Sequence, residues 1–101
     1  MKKIVLLCNA GMSTSMLVTK MKNVAASKHL DCQIEAYPLM QAEIKAADAD
    51  VILIGPQMAF AKEKVLDKLP GKPVEVINMR DYGTMNGENV LNMAFNILGE
   101  K

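Results

Sequence analysis

Strongly apolar residues fall into four short runs along the chain, and longer segments with helical spacing separate these runs. The runs at residues 4–7 and 51–54 are continuously apolar, whereas those at 32–37 and 74–77 mostly alternate with polar residues. Continuous runs are typical of central parallel strands covered on both faces, and alternating runs favour strands with one wetter face or an edge position. The pattern therefore predicts two central and two edge strands.

The segments between and after the runs carry apolar residues three or four positions apart, which predicts a helix after each strand. The first helix starts at the hydroxyl residues 13–15 and ends near His29, the only His, which is therefore expected far from any site at the start of that helix. The second helix has only a small, alanine-rich apolar stripe. The predicted helices cover residues 13–29, 39–47, 58–69 and 90–98.

This alternation over 101 residues predicts a single α/β domain, residues 1–101, with a parallel sheet, right-handed crossovers and helices on both faces. With the first and third strands central, the strand order is 2-1-3-4. Such an open four-stranded sheet is flavodoxin-like and similar to that of the low-molecular-weight tyrosine phosphatases. Ligands of these sheets bind at the carboxyl ends of the strands where the order reverses, so the site is expected at residues 8–15 and 55–57.

Charge and composition exclude several classes of protein. Twelve Lys and Arg residues stand against eleven Asp and Glu, and only four residues are aromatic. A nucleic-acid binder needs a basic surface and stacking aromatics. Arg80 is the single Arg, so a multi-Arg clamp is excluded. It is expected in solvent, with a place near the crevice as the alternative. With two Cys and no recognisable signal peptide or membrane span, we expect a cytoplasmic protein that binds no nucleic acid and is not inserted in a membrane.

The segment that follows the first strand has the features of an anion site. It consists of Cys8, Asn9, Ala10, Gly11, Met12, Ser13, Thr14 and Ser15. The first N–H groups of a helix lack partners, and the helix dipole adds about half a positive charge there. Because residues 4–19 include no charged side chain, any anion here would be held by dipoles and hydroxyls.

Cys8 stands beside this predicted anion site. A thiol near a helix N-terminus has its thiolate favoured, and a nucleophilic thiolate next to a phosphate-shaped loop indicates phosphoryl transfer through phosphocysteine. The alternative is that Cys8 is a small buried residue ending a strand, with the hydroxyls as helix caps; the loop and its location favour the first interpretation. Cys32 begins the neighbouring strand, ~20 Å away and too far for a disulfide, so it is expected to be inert packing.

The absence of certain residues excludes several types of reaction. A Cys-dependent phosphatase needs an Arg six positions after its nucleophile, where this chain has Thr14, and a positioned acid, for which Asp81 is the best candidate. Without this Arg and a positioned acid, phosphocysteine would be hydrolysed slowly, which suits a phosphoryl carrier better than a hydrolase. No Gly-x-x-x-x-Gly-Lys-[Ser/Thr] loop is present, so ATP is not the expected donor. Scarce aromatics disfavour a flavin-binding electron carrier, and the lack of an acidic pocket disfavours a phospho-receiver.

Several segments together resemble one known family. They are Cys-x-x-Gly-Met-Ser-Thr-Ser at residues 8–15, Gly-Pro-Gln at 55–57, Pro-Val-Glu-Val-Ile at 73–77, Tyr-Gly at 82–83 and Asn-Gly at 86–87. Over essentially its whole length the chain resembles the IIB component of the bacterial phosphoenolpyruvate-dependent sugar phosphotransferase system, in the lactose/cellobiose/N,N'-diacetylchitobiose branch. Asn9 departs from the family's loop, which commonly has Ser there.

The resemblance implies a phosphoryl carrier, a protein-phosphocysteine–sugar phosphotransferase. It implies that Cys8 accepts the group from a phosphohistidine on the IIA component, that residues 9–15 hold it, and that a sugar at the membrane IIC component receives it. The sugar would be a β-linked disaccharide such as cellobiose, chitobiose or lactose. A low-molecular-weight-type Cys-dependent phosphatase is the alternative function. The protein is expected to be a monomer without a metal or cofactor.

A few residues outside the loop are candidates for the rim of the site. Pro56 and Gln57 either border the site or form a plain strand-to-helix turn, and neither interpretation is favoured. Tyr82 is expected in an exposed loop, with a contact to the phosphate as the alternative. Met12 is expected on a surface that docks partners, because flexible thioethers fit different partners, and Met16 belongs either there or in the core.

Overall fold

A computed structural model of the chain contains one four-stranded parallel sheet. It describes the backbone of residues 2–8 and 11–99, and the side chains of residues 2–8 and 14–99. The strands are β1 (Lys2–Cys8), β2 (Cys32–Pro38), β3 (Val51–Ile54) and β4 (Val74–Val76). Their order is β2-β1-β3-β4, and every neighbouring pair is parallel. The predicted strand order, with two central strands, is confirmed.

Within the described residues the strands are followed by five α-helices and two short 3₁₀ helices. The α-helices are α1 (Gly11–Ser27), α2 (Ala42–Lys45), α3 (Lys62–Lys68), α4 (Met79–Gly83) and α5 (Gly87–Ile97), and the 3₁₀ helices are Leu39–Gln41 and Pro56–Ala61. None of these helices combines the length and the apolar character needed to cross a membrane. The first and last predicted helices correspond to α1 and α5.

Two of the predicted helices are shorter than expected. The segment 39–47 forms a 3₁₀ turn followed by a single α turn, because its small alanine-rich stripe offers little apolar surface to the sheet. The segment 58–69 is α-helical only from Lys62. Before that point it is a Pro-led 3₁₀ helix, and Met58 has a non-helical backbone with φ −115° and ψ 24°.

Helix α4 has no counterpart among the predicted helices, because five residues are too few to display a periodic stripe. Its start is fixed by Asn78, whose side-chain oxygen accepts the N–H groups of Arg80 and Asp81 at 2.8 and 3.3 Å. Its end is fixed by Met85, which adopts a left-handed φ of 52° and donates its N–H to the Tyr82 carbonyl. Both ends of this short helix are therefore defined by specific bonds.

The hydrophobic core lies on both faces of the sheet. Ile4 and Leu6 of β1 pack with α1 and α5 on one face, whereas Val5 and Leu7 pack on the other face with residues of α2 and α3. All four side chains are fully buried. This two-sided burial explains why the sequence of a central strand is continuously apolar.

Helices α1 and α5 approach each other most closely at Gly87. A Cβ atom at this position would lie 2.8 Å from the backbone C of Lys20 and 2.8 Å from the backbone N of Met21. Backbone atoms cannot rotate away as the end of a side chain can, so only glycine allows this approach. Met21 is fully buried in the core shared by the two helices, so the contact at Gly87 holds α1 in place.

The variant Gly87→Ala is expected to lower the free energy of unfolding by about 1–3 kcal/mol, because α1 and α5 must separate to admit one methyl group. Gly83→Ala is the matched control: a Cβ there meets no atom within 4 Å, and alanine is favoured over glycine in a helix by up to about 1 kcal/mol. Urea unfolding measures both variants. A Gly87→Ala protein as stable as the wild type would contradict the close approach of the helices.

Candidate functional site

Cys8 is the last residue of β1 and lies at the carboxyl edge of the sheet. It is in register with Pro38 at the end of β2, and the adjacent Leu7 is in register with Ile54 at the end of β3. The Gly55 N–H donates to the Leu7 carbonyl at 3.1 Å and extends the β1–β3 pairing up to this edge. The Cys8 side chain is 4 % exposed and carries a free thiol. The structure thus places Cys8 where the strand order reverses.

The N-terminus of α1 lies immediately beyond Cys8. The helix begins at Gly11, with only two residues between it and the end of β1. Its first turn contains no acidic residue, so no side-chain charge there opposes an anion. Part of the predicted phosphate-binding segment falls outside the described residues, namely Asn9 and Ala10 and the side chains of Met12 and Ser13.

The two described hydroxyl residues of this segment have different surroundings. Thr14, the fourth residue of α1, is 1 % exposed, whereas Ser15 is exposed. The Thr14 Oγ1 lies 3.1 Å from the hydroxyl oxygen of Tyr82, in a hydrogen bond that either group can donate. The start of α1 is therefore bonded to the segment that follows β4.

Tyr82 lies on a helix beside the end of β3 and not in an exposed loop. It lies on α4, is half-buried, and packs against the core shared by α1 and α5. A Cβ built on Gly55 would lie 3.7 Å from the Tyr82 Cε1, so the aromatic ring stands beside the residue that follows β3. The expectation of an exposed loop is wrong because α4 forms here and brings the ring against the core.

Gln57 also turns back over the end of β3. Its Oε1 lies 3.4 Å from the same Cβ position on Gly55, while the residue as a whole is exposed. Pro56 is the first residue of the 3₁₀ helix and is half-buried. The structure thus brings Gln57 to the border of the site, and Pro56 acts as the residue that starts the turn.

Arg80 lies on α4, two positions before Tyr82, whereas His29 follows the far end of α1. Arg80 is exposed, and His29 is exposed at the end of α1 that is farthest from Cys8. His29 has a left-handed φ of 55°, and the following residue, Leu30, donates its N–H to the Ala25 carbonyl, which is a helix-terminating arrangement. The described residues include no group of three or more His, Cys, Asp or Glu that could hold a metal ion.

Cys32 lies at the opposite end of the neighbouring strand. It is in register with Lys2, whereas Cys8 is in register with Pro38, and both cysteines are free. Burial raises the pKa of the Cys32 thiol, and the negative charge of Asp31 raises it further. A protonated thiol is a poor nucleophile, which agrees with the expectation that Cys32 is packing.

Large apolar side chains are exposed in the segments that follow the strands. Met16, Met40, Phe60 and Met79 have exposed fractions of 56, 95, 74 and 72 %. They follow the ends of β1, β2, β3 and β4 respectively, so each strand contributes one, and we call this set the apolar rim. A further exposed residue, Ile44, lies on α2. The sequence left Met16 undecided and gave no signal for the other three, because they lie outside the helical apolar stripes.

Comparison with known proteins relates the chain to one family. Residues 3–93 match the family model described as PTS system, Lactose/Cellobiose specific IIB subunit. The chain is 44 % identical over 104 residues to the galactose-specific EIIB component of Lactococcus lactis subsp. cremoris (strain MG1363), with 96 % of each chain covered. It is 41 % identical over 100 residues to the oligo-beta-mannoside-specific EIIB component of Bacillus subtilis (strain 168), with 97 % of each covered.

Solved structures have the same architecture. The solution structure of a cellobiose-specific phosphotransferase IIB component from Borrelia burgdorferi superposes with a TM-score of 0.82 at 43 % identity, covering 97 % of this chain and 92 % of that one. A lactose-specific IIB domain from Streptococcus pneumoniae superposes with a TM-score of 0.81 at 13 % identity, covering 94 % and 95 %. At that lower identity the second likeness concerns the fold alone.

Proposed function

Because the chain belongs to the lactose/cellobiose-specific IIB subunits of the sugar phosphotransferase system, we propose that it carries the phosphoryl group on Cys8. In this proposal, residues 1–101 act in the cytoplasm as one domain. Cys8 accepts the group from a phosphohistidine of the IIA component and delivers it to a sugar bound by the membrane component IIC. One observation carries the proposal: the Cys8 thiol ends a central strand just before the N-terminus of α1.

The transfer onto Cys8 is an in-line displacement at phosphorus. The thiolate forms the S–P bond while the N–P bond of the donor histidine breaks, and the electron pair of that bond stays on the imidazole. In the second transfer the oxygen of a sugar hydroxyl forms the new bond to phosphorus while the S–P bond breaks. The electron pair of that bond leaves on the Cys8 sulfur, and the hydroxyl proton passes to a base or to water.

The charge on the phosphoryl oxygens is stabilised by neutral groups. The first N–H groups of α1 have no partners within the helix and point towards its start, where the dipole is positive. Residues 4–19 carry no charged side chain, and the first turn of α1 contains no acidic residue. We therefore assign the holding of the group to the backbone and hydroxyls of residues 9–15, acting as preorganised dipoles.

A carrier fits this site better than a Cys-dependent phosphatase does. The position six residues after Cys8 is Thr14, which is buried and bonded to Tyr82. The carboxylate of Asp81, the candidate acid, accepts a hydrogen bond from the Asn89 side chain at 3.1 Å. With neither an Arg in the loop nor an available acid at its border, phosphocysteine would be long-lived.

The sugar is proposed as a β-linked disaccharide such as cellobiose, chitobiose or lactose. A cellobiose-specific EIIB component of Lactococcus lactis subsp. lactis (strain IL1403) is 44 % identical to this chain, with 96 % of each covered. The relatives named for galactose and oligo-beta-mannoside have nearly the same identity. Similarity between IIB chains thus varies little with the named sugar, and we assign the choice of sugar mainly to IIC.

The apolar rim is proposed as the surface on which IIA and IIC dock in turn. Both partners must bring a reacting group to Cys8, so both must cover the carboxyl edge, where the segments that carry the rim begin. Three of its four residues are methionines, whose flexible and polarizable side chains adapt to different partner surfaces. In this proposal the protein is a monomer that exposes the same edge to each partner.

Incubation with phosphoenolpyruvate and the upstream phosphotransfer proteins, IIA included, is expected to add one phosphoryl group to the wild type, located on Cys8 by peptide mass spectrometry. Cys8→Ser should accept none, because the thiolate nucleophile is missing. Cys32→Ser is the matched control and should be loaded like the wild type. Normal loading of Cys8→Ser would refute the assignment, and steady hydrolysis of p-nitrophenyl phosphate by the wild type would favour a phosphatase.

Replacing Phe60 and Met79 together by Ser is expected to raise the KM for phosphorylated IIA about tenfold, because two exposed apolar contacts are lost. The kcat at saturating donor should stay within about twofold, since neither residue belongs to residues 8–15. Gln33→Ser is the control, because Gln33 is exposed near the opposite end of β2. An unchanged KM in the double variant would remove these residues from the docking surface.

A further inference from the structure

The hydrogen bond between Thr14 and Tyr82 joins two distant parts of the chain beside the Cys8 site. Thr14 is the one buried polar side chain found among the described residues, and its partner lies 68 positions away. The Oγ1–OH distance of 3.1 Å is within hydrogen-bonding range. A buried hydroxyl needs a hydrogen-bond partner, and Tyr82 provides one at the first turn of the helix that follows the nucleophile.

The two hydroxyls carry two protons, and the hydrogen bond between them uses only one. Each hydroxyl has one proton to donate and can accept as well. If Tyr82 donates to the Thr14 Oγ1, the Thr14 proton is left for an acceptor other than Tyr82. Thr14 lies in the first turn of α1, where the phosphoryl oxygens of phosphocysteine would be.

We propose that Tyr82 is a positioning residue for phosphoryl transfer, whose hydroxyl donates to Thr14 and directs the Thr14 proton towards a phosphoryl oxygen on Cys8. This inference rests on the function proposed above. Tyr82 acts through Thr14 and does not touch the phosphoryl group itself. A hydroxyl that accepts from one partner and donates to an anion is also the better donor, because hydrogen bonds in a chain polarise one another.

The surroundings of Tyr82 hold its hydroxyl at a fixed place. The Tyr82 N–H donates to the Asn78 carbonyl at 2.9 Å, and Asn78 also caps the start of α4. The ring packs against the core shared by α1 and α5 and lies beside Gly55. Asp81, the preceding residue, is bonded through its carboxylate to Asn89 of α5. Helix α4 is thus anchored at its start and at the residue that precedes the aromatic ring.

The test combines Tyr82→Phe, which keeps the ring and removes the hydroxyl, with Thr14→Val, which keeps the shape and removes the partner hydroxyl. Tyr82→Phe is expected to lower the rate constant for loading Cys8 at saturating donor about tenfold, with an unchanged KM. In the Thr14→Val background the same change should alter the rate by less than about twofold, because the pair acts as a unit. Thr14→Ser, which keeps a hydroxyl, should restore dependence on Tyr82.

Tyr37→Phe is the matched control, since the Tyr37 hydroxyl donates to Glu35 on the same strand and lies outside the pair. It should load at the wild-type rate. The ³¹P resonance of phosphocysteine should shift in Tyr82→Phe and not in Tyr37→Phe, a change that a loss of stability alone would not produce.

If the wild type loads on Cys8 and Tyr82→Phe loads at the same rate, the positioning role of Tyr82 is overturned. Rate losses from Tyr82→Phe of equal size with and without Thr14→Val would also overturn it, because they would reflect a general effect on the fold. A wild-type protein that accepts no phosphoryl group would instead refute the proposed function, so the two failures are distinguishable.

Discussion

The two-sided burial of β1 is the constraint on which the site depends. Its residues from Ile4 to Cys8 are all buried, and the strand has neighbours on both edges, so its carboxyl end has a fixed position. The chain must then leave the sheet at once, and α1 starts at Gly11 and packs back along one face. The thiol and the positive end of a helix are brought together by the packing of the core.

In the proposed function, a phosphoryl site made from dipoles would suit a carrier that must both receive and release the group. Backbone N–H groups held by a packed helix need little reorganisation as the charge moves between oxygens. Here residues 4–19 provide no charged side chain, so positioning of α1 governs the site.

The sequence was sufficient for the sheet, its order and the location of Cys8, because continuous and alternating apolar runs report directly on two-sided and one-sided burial. Helix α4 could not be foreseen, since five residues show no period and its ends depend on Asn78 and Met85. The half-buried position of Tyr82 depends on α4, so the sequence did not predict it either. Likewise, a hydroxyl in a first helical turn is typical of a cap, and nothing local indicates that Thr14 is buried against a tyrosine 68 positions away.

The apolar rim shows a different limit of sequence reasoning. A residue such as Phe60 is apolar whether it lies in the core or in solvent, and only the three-dimensional structure separates the two cases. Its significance comes from the distribution, because each of the four strands is followed by at least one such side chain. The segments that follow parallel strands all begin at the same edge of the sheet. No single segment of the sequence shows that these side chains belong together.

The central claim is that the start of α1 holds the phosphoryl group through its backbone. Backbone amide resonances of ¹⁵N-labelled protein, recorded before and after loading, test this most directly. We expect the largest shifts on residues 9–15, a smaller one at Tyr82 and none at Cys32. Shifts centred on another part of the sheet, or an unperturbed start of α1 in loaded protein, would contradict it.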